Sequence, residues 1–282
     1  MRTYLAVLML IVGGPCFANS SLVQSMTEQQ MIRAGRESFL NRCSGCHGVN
    51  ADGQGDAAPM LNPKPRNLVE GSFKLRSTPS GTLPTVEDLL RTINQGIHGT
   101  SMPGFPLVPE SEKLSIVTYI RSLRPEFRET LSEQRSIPLP HPPDEIFSEK
   151  ASLIEAASRG KATYQQACLL CHGVGGRGDG PSAESLRDDY DRPIRPADLT
   201  RIYLKSGPTA QDVYKAISTG LSGSPMPSYS FYSEAQRWDL VAFIFYLRGK
   251  AHHVYGESDT LSGPPLALPT YDDEEEMEEE NQ

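Results

Sequence analysis

The sequence predicts an all-α chain of two similar units in tandem, and three observations predict it. A Cys-x-x-Cys-His motif occurs twice, as Cys43-Ser44-Gly45-Cys46-His47 and as Cys168-Leu169-Leu170-Cys171-His172, at an offset of 125. Upstream of each copy the same helical spacing recurs, Gly35, Phe39 and Cys43 in the first and Gly160, Tyr164 and Cys168 in the second. Downstream, the segment Asp88 to Gly96 returns as Asp212 to Gly220 at an offset of 124. Self-similarity at a fixed period marks a duplicated structural unit, and every repeated block carries helical periodicity.

Composition sets the bounds. The chain has 282 residues, enough for two modest domains, and 38% of them are hydrophobic, enough for globular cores. The net charge of -8 is concentrated, because Asp272 to Glu280 alone holds eight acidic side chains and leaves a near-neutral body. No basic patch points to nucleic acid. The N-terminus reads as an export signal over residues 1–18: Arg2, an apolar run from Tyr4 to Val12, and the small-residue end Cys16-Phe17-Ala18. That run is about half of the ~20 residues that cross a bilayer, so the mature chain is expected to carry no transmembrane helix. Acylation at Cys16 is the weaker reading, since Pro15 precedes it.

After the signal, Thr27 to Gln30 fits a capping box, and Met31, Gly35, Phe39 and Cys43 fall on one side of a helix. A bare glycine and an aromatic ring on one face suit close helix crossing. The helix leads into the first CxxCH. Two thiols three positions apart with a histidine directly behind are spaced for covalent haem attachment, the thiols meeting the two vinyl groups and the imidazole coming under the iron. Cys43, Cys46, His47 and Cys168, Cys171, His172 are therefore the candidate haem-binding residues. Structural zinc is a competing reading, but it needs no histidine after each pair. Paired disulfides are another, and they leave both histidines unexplained.

The middle helices open at Thr85 with Asp88 and at Thr209 with Asp212, and close at Gly96 and Gly220. Six positions after each glycine stands a methionine in a proline-stiffened loop, Ser101-Met102-Pro103 and Pro225-Met226-Pro227. A loop thioether is a soft ligand suited to haem iron. Met60 and His98 rival Met102 in the first half, but His98 aligns with Ser222 while Met102 aligns with Met226. The expected metal ligands are His47 with Met102, and His172 with Met226. Each half then ends in an amphipathic helix, Ser111 to Leu123 and Ser233 to Arg248, closed by Pro125 and Gly249. Val117, Tyr119 and Ile120 align with Val241, Phe243 and Ile244, a face expected to cross the first helix near Gly35 or Gly160. Trp238, the only tryptophan, reads as packing.

With glycine and aromatic, CxxCH, a proline-bearing segment (Pro65-Arg66-Asn67-Leu68 and Pro196-Ala197-Asp198-Leu199), middle helix, methionine loop and last helix in order, each half resembles a class I c-type cytochrome domain. The whole is similar to tandem dihaem cytochromes c of bacterial periplasms. The resemblance implies two all-helical domains, each wrapped around one covalent haem c, with histidine and methionine as axial ligands, and electron transfer at a partly exposed haem edge. The expected organisation is a signal at 1–18, a first cytochrome domain at 19–124, a proline-rich linker at 125–147, a second domain at 148–249, and a disordered acidic tail at 250–282 available to a basic partner.

Six-coordinate iron has no position for substrate, so two such haems (iron) imply an electron carrier between periplasmic or membrane-bound redox partner proteins, and not an enzyme. A dihaem peroxidase or sulfur-compound oxidase with one accessible haem is the alternative, and a subunit of a membrane oxidoreductase a third.

Overall fold

The computed structural model describes residues 26–129, 135–254, 258–263 and 266. Residues 1–18, read above as an export signal, and the acidic run at 272–280 lie outside the described residues. Ten α-helices and one 3-10 turn are seen among them, with two isolated β-bridges and no strand.

In the first unit α1 (Glu28–Arg42) begins with the expected capping box: Thr27 Oγ1 accepts from the Gln30 amide while the Gln30 side chain accepts from the Thr27 amide. The four-residue α2 (Ser44–His47) carries the first CxxCH, and a 3-10 turn follows at Ala58–Met60. The helix α3 (Val86–Gln95) opens with the Thr85–Asp88 box, and α4 (Glu110–Ser122) closes the unit against α1. The second unit repeats this: α7 (Lys150–Ala167), α8 (Leu169–His172), α9 (Ala210–Thr219) and α10 (Glu234–Ala251), with capping boxes at Thr209 and Ser233. Gly249 lies inside α10, so that helix runs a little past its expected end.

Both α1–α4 and α7–α10 cross on the expected glycine. A Cβ on Gly35 would lie 1.9 Å from the Ser115 carbonyl oxygen, and one on Gly160 would lie 2.0 Å from that of Asp239. Only a missing side chain allows backbones this close. Around these crossings two cores form. Phe39, Ile116, Val117 and Tyr119 fill the first, and Tyr164, Val241, Phe243 and Trp238 the second. Trp238 stacks on Tyr214 with ring centroids 4.3 Å apart, the packing role expected of it.

Two spans depart from their expected character. Within 125–147, Glu126–Glu129 forms the helical turn α5 and Asp144–Phe147 the turn α6. Phe127 is 1% exposed in the first core, edge-on to Phe73, and Phe147 packs edge-on to Trp238 in the second. Burying a Phe stabilises by about 1.5–3 kcal/mol, which outweighs the proline bias that otherwise keeps this stretch extended. Of the linker, residues 135–143 lie in no helix or strand. Ile137 donates to the Ser77 carbonyl at 2.7 Å, and Gln211 donates to that of Leu139 at 3.1 Å, so it touches both units.

The stretch from 250 is likewise not wholly solvated. Leu261 and Leu266 pack on the second core, Lys150 pairs with Asp259 at 2.9 Å, and the Tyr246 hydroxyl donates to the Asp259 carbonyl at 2.7 Å. Its apolar residues precede the charge run that dominates the composition.

The units face each other through cations of the first. Arg66 pairs with Asp189 at 3.1 Å, Arg91 pairs with Asp212 and donates to the Ser206 carbonyl, and the ring of His98 lies against Tyr203. Arg76, 2% exposed, donates to the Thr219 carbonyl at 2.9 Å, at the end of α9. No helix among the described residues is long and apolar enough to cross a membrane.

Candidate functional site

The first CxxCH is built as a short helix because α1 stops at Cys43 and the chain immediately starts another turn. The Cys43 carbonyl accepts from the Cys46 amide at 3.2 Å and from the His47 amide at 2.9 Å. The loop beyond folds back on it, with Gly53 donating to the His47 carbonyl and Gly55 to that of Cys46. The second copy is hydrogen-bonded in the same way: Cys171 and His172 donate to the Cys168 carbonyl, Gly178 to His172 and Gly180 to Cys171. A local sequence repeat has become a repeat of backbone geometry.

In each unit the histidine ring is fixed through one nitrogen. Nδ1 of His47 lies 3.0 Å from the Arg66 carbonyl, and Nδ1 of His172 lies 3.0 Å from the Ala197 carbonyl. A carbonyl only accepts, so Nδ1 carries the proton and Nε2 keeps its lone pair free. Burial lowers both imidazole pKa values, partly offset by those same bonds, which favours the neutral, ligating form. The proline-bearing segments at 65–68 and 196–199 thus have a role: each places the carbonyl that orients its histidine.

Burial pushes the Cys43 thiol up to about 11 and the Cys168 thiol up to about 12, and raises Cys171 as well. These are half-buried protonated thiols, not exposed thiolates. All four are unbridged, and among the described residues no group of three or more His, Cys, Asp or Glu could hold a metal ion. The two CxxC pairs are therefore not brought together in a four-thiolate site.

The methionine loops are locked onto the middle helices. The Ile97 amide donates to the Met102 carbonyl and the Phe105 amide to that of Ile93; Leu221 with Met226 and Tyr229 with Ile217 do the same in the second unit. Gly96 and Gly220 turn the chain out of the helices with φ of +69° and +67°, in the left-handed region that glycine occupies at low cost.

Cys43, Cys46, His47 and Met102 all line one cavity of about 240 Å³, whose other walls include Phe39, Leu68, Leu89, Ile93, Ile116 and Ile120. Of the rival ligands, Met60 is 80% exposed and does not line it, and His98 stands outside it against Tyr203. Met226 is half-buried in a loop hydrogen-bonded like that of Met102. Two thiols, an oriented neutral imidazole and a thioether around an apolar space fit a covalently held haem, which is large, flat, apolar and bound to soft and nitrogen ligands. Sequence reasoning missed Lys64, Lys74 and Lys205, which also line the cavity. Lys205 comes from the second unit, so no signal local to the first could have revealed it.

Comparison with known proteins agrees in both halves. The family model for cytochrome c matches residues 32–124 and again 157–248. The chain is 24% identical over 217 residues to the cytochrome bc1 complex cytochrome c subunit of Corynebacterium efficiens, a match that takes in 77% of this chain. It spans 63% of that relative's length. Among solved structures it is similar to a chain of the reducing HAO-like protein complex of Kuenenia stuttgartiensis, with a TM-score of 0.68 and 35% identity over 76% of this chain and 95% of that one.

Proposed function

The chain belongs to the cytochrome c family, and on that premise we propose that it is a dihaem electron-transfer protein with one covalent haem c in each domain. The observation that carries this reading is the gathering of Cys43, Cys46, His47 and Met102 around one apolar cavity, with the same backbone arrangement repeated at Cys168, Cys171, His172 and Met226. Haem c, when bound, supplies reversible one-electron chemistry at its iron.

The chain's own residues do the rest. Cys43 and Cys46, and Cys168 and Cys171, hold the group by thioether bonds. His47 and His172 offer Nε2 to the iron because the Arg66 and Ala197 carbonyls hold Nδ1. Met102 and Met226, in their stiffened loops, would supply a thioether to the metal and would favour its reduced form. In the first domain the apolar walls of the cavity, Phe39, Leu68, Leu89, Ile93, Ile116 and Ile120 among them, would limit water at the group and so favour a higher potential. With a histidine and a methionine held for each haem, no place would be left at the metal for substrate, which is the basis for reading a relay and not a site of substrate chemistry.

The named relatives belong to a cytochrome bc1 complex and to a reducing HAO-like protein complex. That supports redox proteins as partners of this chain, as donor, acceptor or fellow subunits. Covalent attachment to CxxCH accompanies export, so we place the mature protein in the periplasm, with 1–18 removed.

The test is haem count and coordination. The mature protein is expected to stain for haem on a denaturing gel, to yield two haems per chain, and to show two low-spin irons that bind carbon monoxide poorly when reduced. Complete extraction of haem by acid–acetone would refute covalent attachment. A high-spin haem that binds carbon monoxide or turns over peroxide in the unmodified protein would replace the relay with a dihaem enzyme.

A further inference from the structure

The charged side chains lining the mainly apolar cavity of the first domain are all cations, Arg42, Lys64, Arg66, Lys74 and Lys205. Three of these are engaged elsewhere. Arg42 pairs with Glu112, Lys64 donates to the Ala58 and Pro59 carbonyls, and Arg66 pairs with Asp189. Lys74 and Lys205 form no hydrogen bond or ion pair among the described residues, yet both are only partly exposed and converge on this one space from different domains.

Two unpartnered ammonium groups at the wall of an apolar cavity define their ligand: a large apolar body bearing carboxylates. The haem implied by the adjacent thiols and imidazole is such a molecule, since its macrocycle is apolar and it carries two propionates. We propose that Lys74 of the first domain and Lys205 of the second bind the propionates of the haem held by Cys43, Cys46 and His47, so that the second domain completes the first haem site.

Three further observations bear on this. Lys74 stands nine positions after Pro65 and Lys205 nine after Pro196, so the two lysines occupy equivalent places in the repeat and meet across the interface between its copies. The interface is pinned on both sides of Lys205, by His98 against Tyr203 and by Arg91 on the Ser206 carbonyl. Its position at the cavity is therefore fixed by the fold and not by a wandering surface chain. Burial, with the charges of Lys205 and Arg66, pushes the Lys74 ammonium down to about 8 against a smaller opposing effect of Asp188 and Asp189, and burial also lowers that of Lys205. Both ammonium groups are destabilised where they stand, and a nearby carboxylate pair relieves that cost.

The inference rests on the dihaem reading, and its consequence is electrostatic. A cation at a propionate disfavours the ferric iron, so removing it lowers the potential of that haem. The experiment uses the full-length holoprotein in a Met226→Ala background, where the remaining sulfur-to-iron charge-transfer band belongs to the first haem alone and follows its redox state. Lys205→Gln, a substitution in the second domain, should leave two haems per chain and lower the first haem's potential. The reduced-to-oxidised ratio at fixed applied potential should fall at least threefold, about 28 mV by the one-electron relation of 59 mV per tenfold. Lys74→Gln should act in the same direction, and Lys205→Arg should restore most of the effect. Two retained haems with an unmoved first-haem potential in both Gln variants would overturn the inference and leave the dihaem reading intact. Absence of covalent haem from the unsubstituted protein would overturn both.

Discussion

Replacing Gly35 by alanine puts the helix-crossing argument at risk. The added Cβ would sit 1.9 Å from the Ser115 carbonyl oxygen and 3.0 Å from the Ile116 amide nitrogen, both backbone atoms that cannot rotate away. A carbon needs about 3.3 Å from a carbonyl oxygen, so α1 and α4 must separate by about 1.4 Å at the crossing. A gap of 0.5–1 Å already forfeits roughly a quarter to a half of each dispersion contact, and here Phe39, Ile116, Val117 and Tyr119 all lose theirs. Overpacking of this kind costs about 3 kcal/mol. Against it stands the gain of about 1 kcal/mol when alanine replaces glycine inside a helix. The net expectation is destabilisation by about 2 kcal/mol, which for a domain of this size lowers the melting temperature by roughly 8–16 °C. The assay is thermal unfolding followed by far-ultraviolet circular dichroism, with Gly45→Ala as the control because nothing lies within 4 Å of a Cβ there. A Gly35→Ala protein that melts at or above the parent temperature would show that helix propensity, and not the close approach, governs this position.

Two further perturbations address the second domain and the interface. Met226→Ala should open one iron, giving carbon monoxide binding at one haem, loss of about half the sulfur-to-iron charge-transfer band and a lower potential at that haem; an unchanged band would show that Met226 is not a ligand. Arg76→Ala removes donors from the Thr219 and Gly220 carbonyls at a site where the guanidinium is 2% exposed. Hydrogen bonds involving a charged group contribute about 1.5–3 kcal/mol each. The 2.9 Å bond to Thr219 is the well-formed one and the 3.5 Å contact to Gly220 is at the limit, so the midpoint of chemical denaturation should fall by an amount corresponding to about one such bond, ~1.5–3 kcal/mol, and an unmoved midpoint would mean that Arg76 adds nothing to stability.

Most of each domain was legible because its determinants are local. Capping boxes at Thr27, Thr85, Thr209 and Ser233 need only a hydroxyl and a partner three residues on, and all four form. The crossings at Gly35 and Gly160 were readable from a glycine and an aromatic at helical spacing, reinforced by duplication. Even the placement of Met102 at the cavity, and of Met60 and His98 outside it, follows the alignment of the two halves. What misled was composition averaged over a span. Five prolines made 125–147 look like a bare strap, yet Phe127 and Phe147 anchor its ends in opposite cores. Eight carboxylates coloured the whole region after 250, although Leu261 and Leu266 in its first half dock on the second core.

The interface was illegible for a different reason, and it changes how the two halves should be understood. Arg66 and Asp189 are 123 residues apart, and Arg76 and Thr219 are 143 apart, so neither pairing leaves a periodic trace in the chain. A sequence repeat by itself predicts two self-sufficient units, each with its own core. Here the first unit donates its buried Arg76 to the last carbonyls of α9, the negative end of that helix. Gly220, whose carbonyl is one of the two acceptors, is also the residue from which the Met226 loop departs. In return the second unit contributes Lys205 to the cavity that holds Met102. On the proposed ligand set, each unit supports the ligand environment of the other, and a perturbation that loosens the interface is expected to reach both haem sites. Coupling of this kind is reciprocal: whatever haem binding in one unit does to docking, docking must do to haem binding.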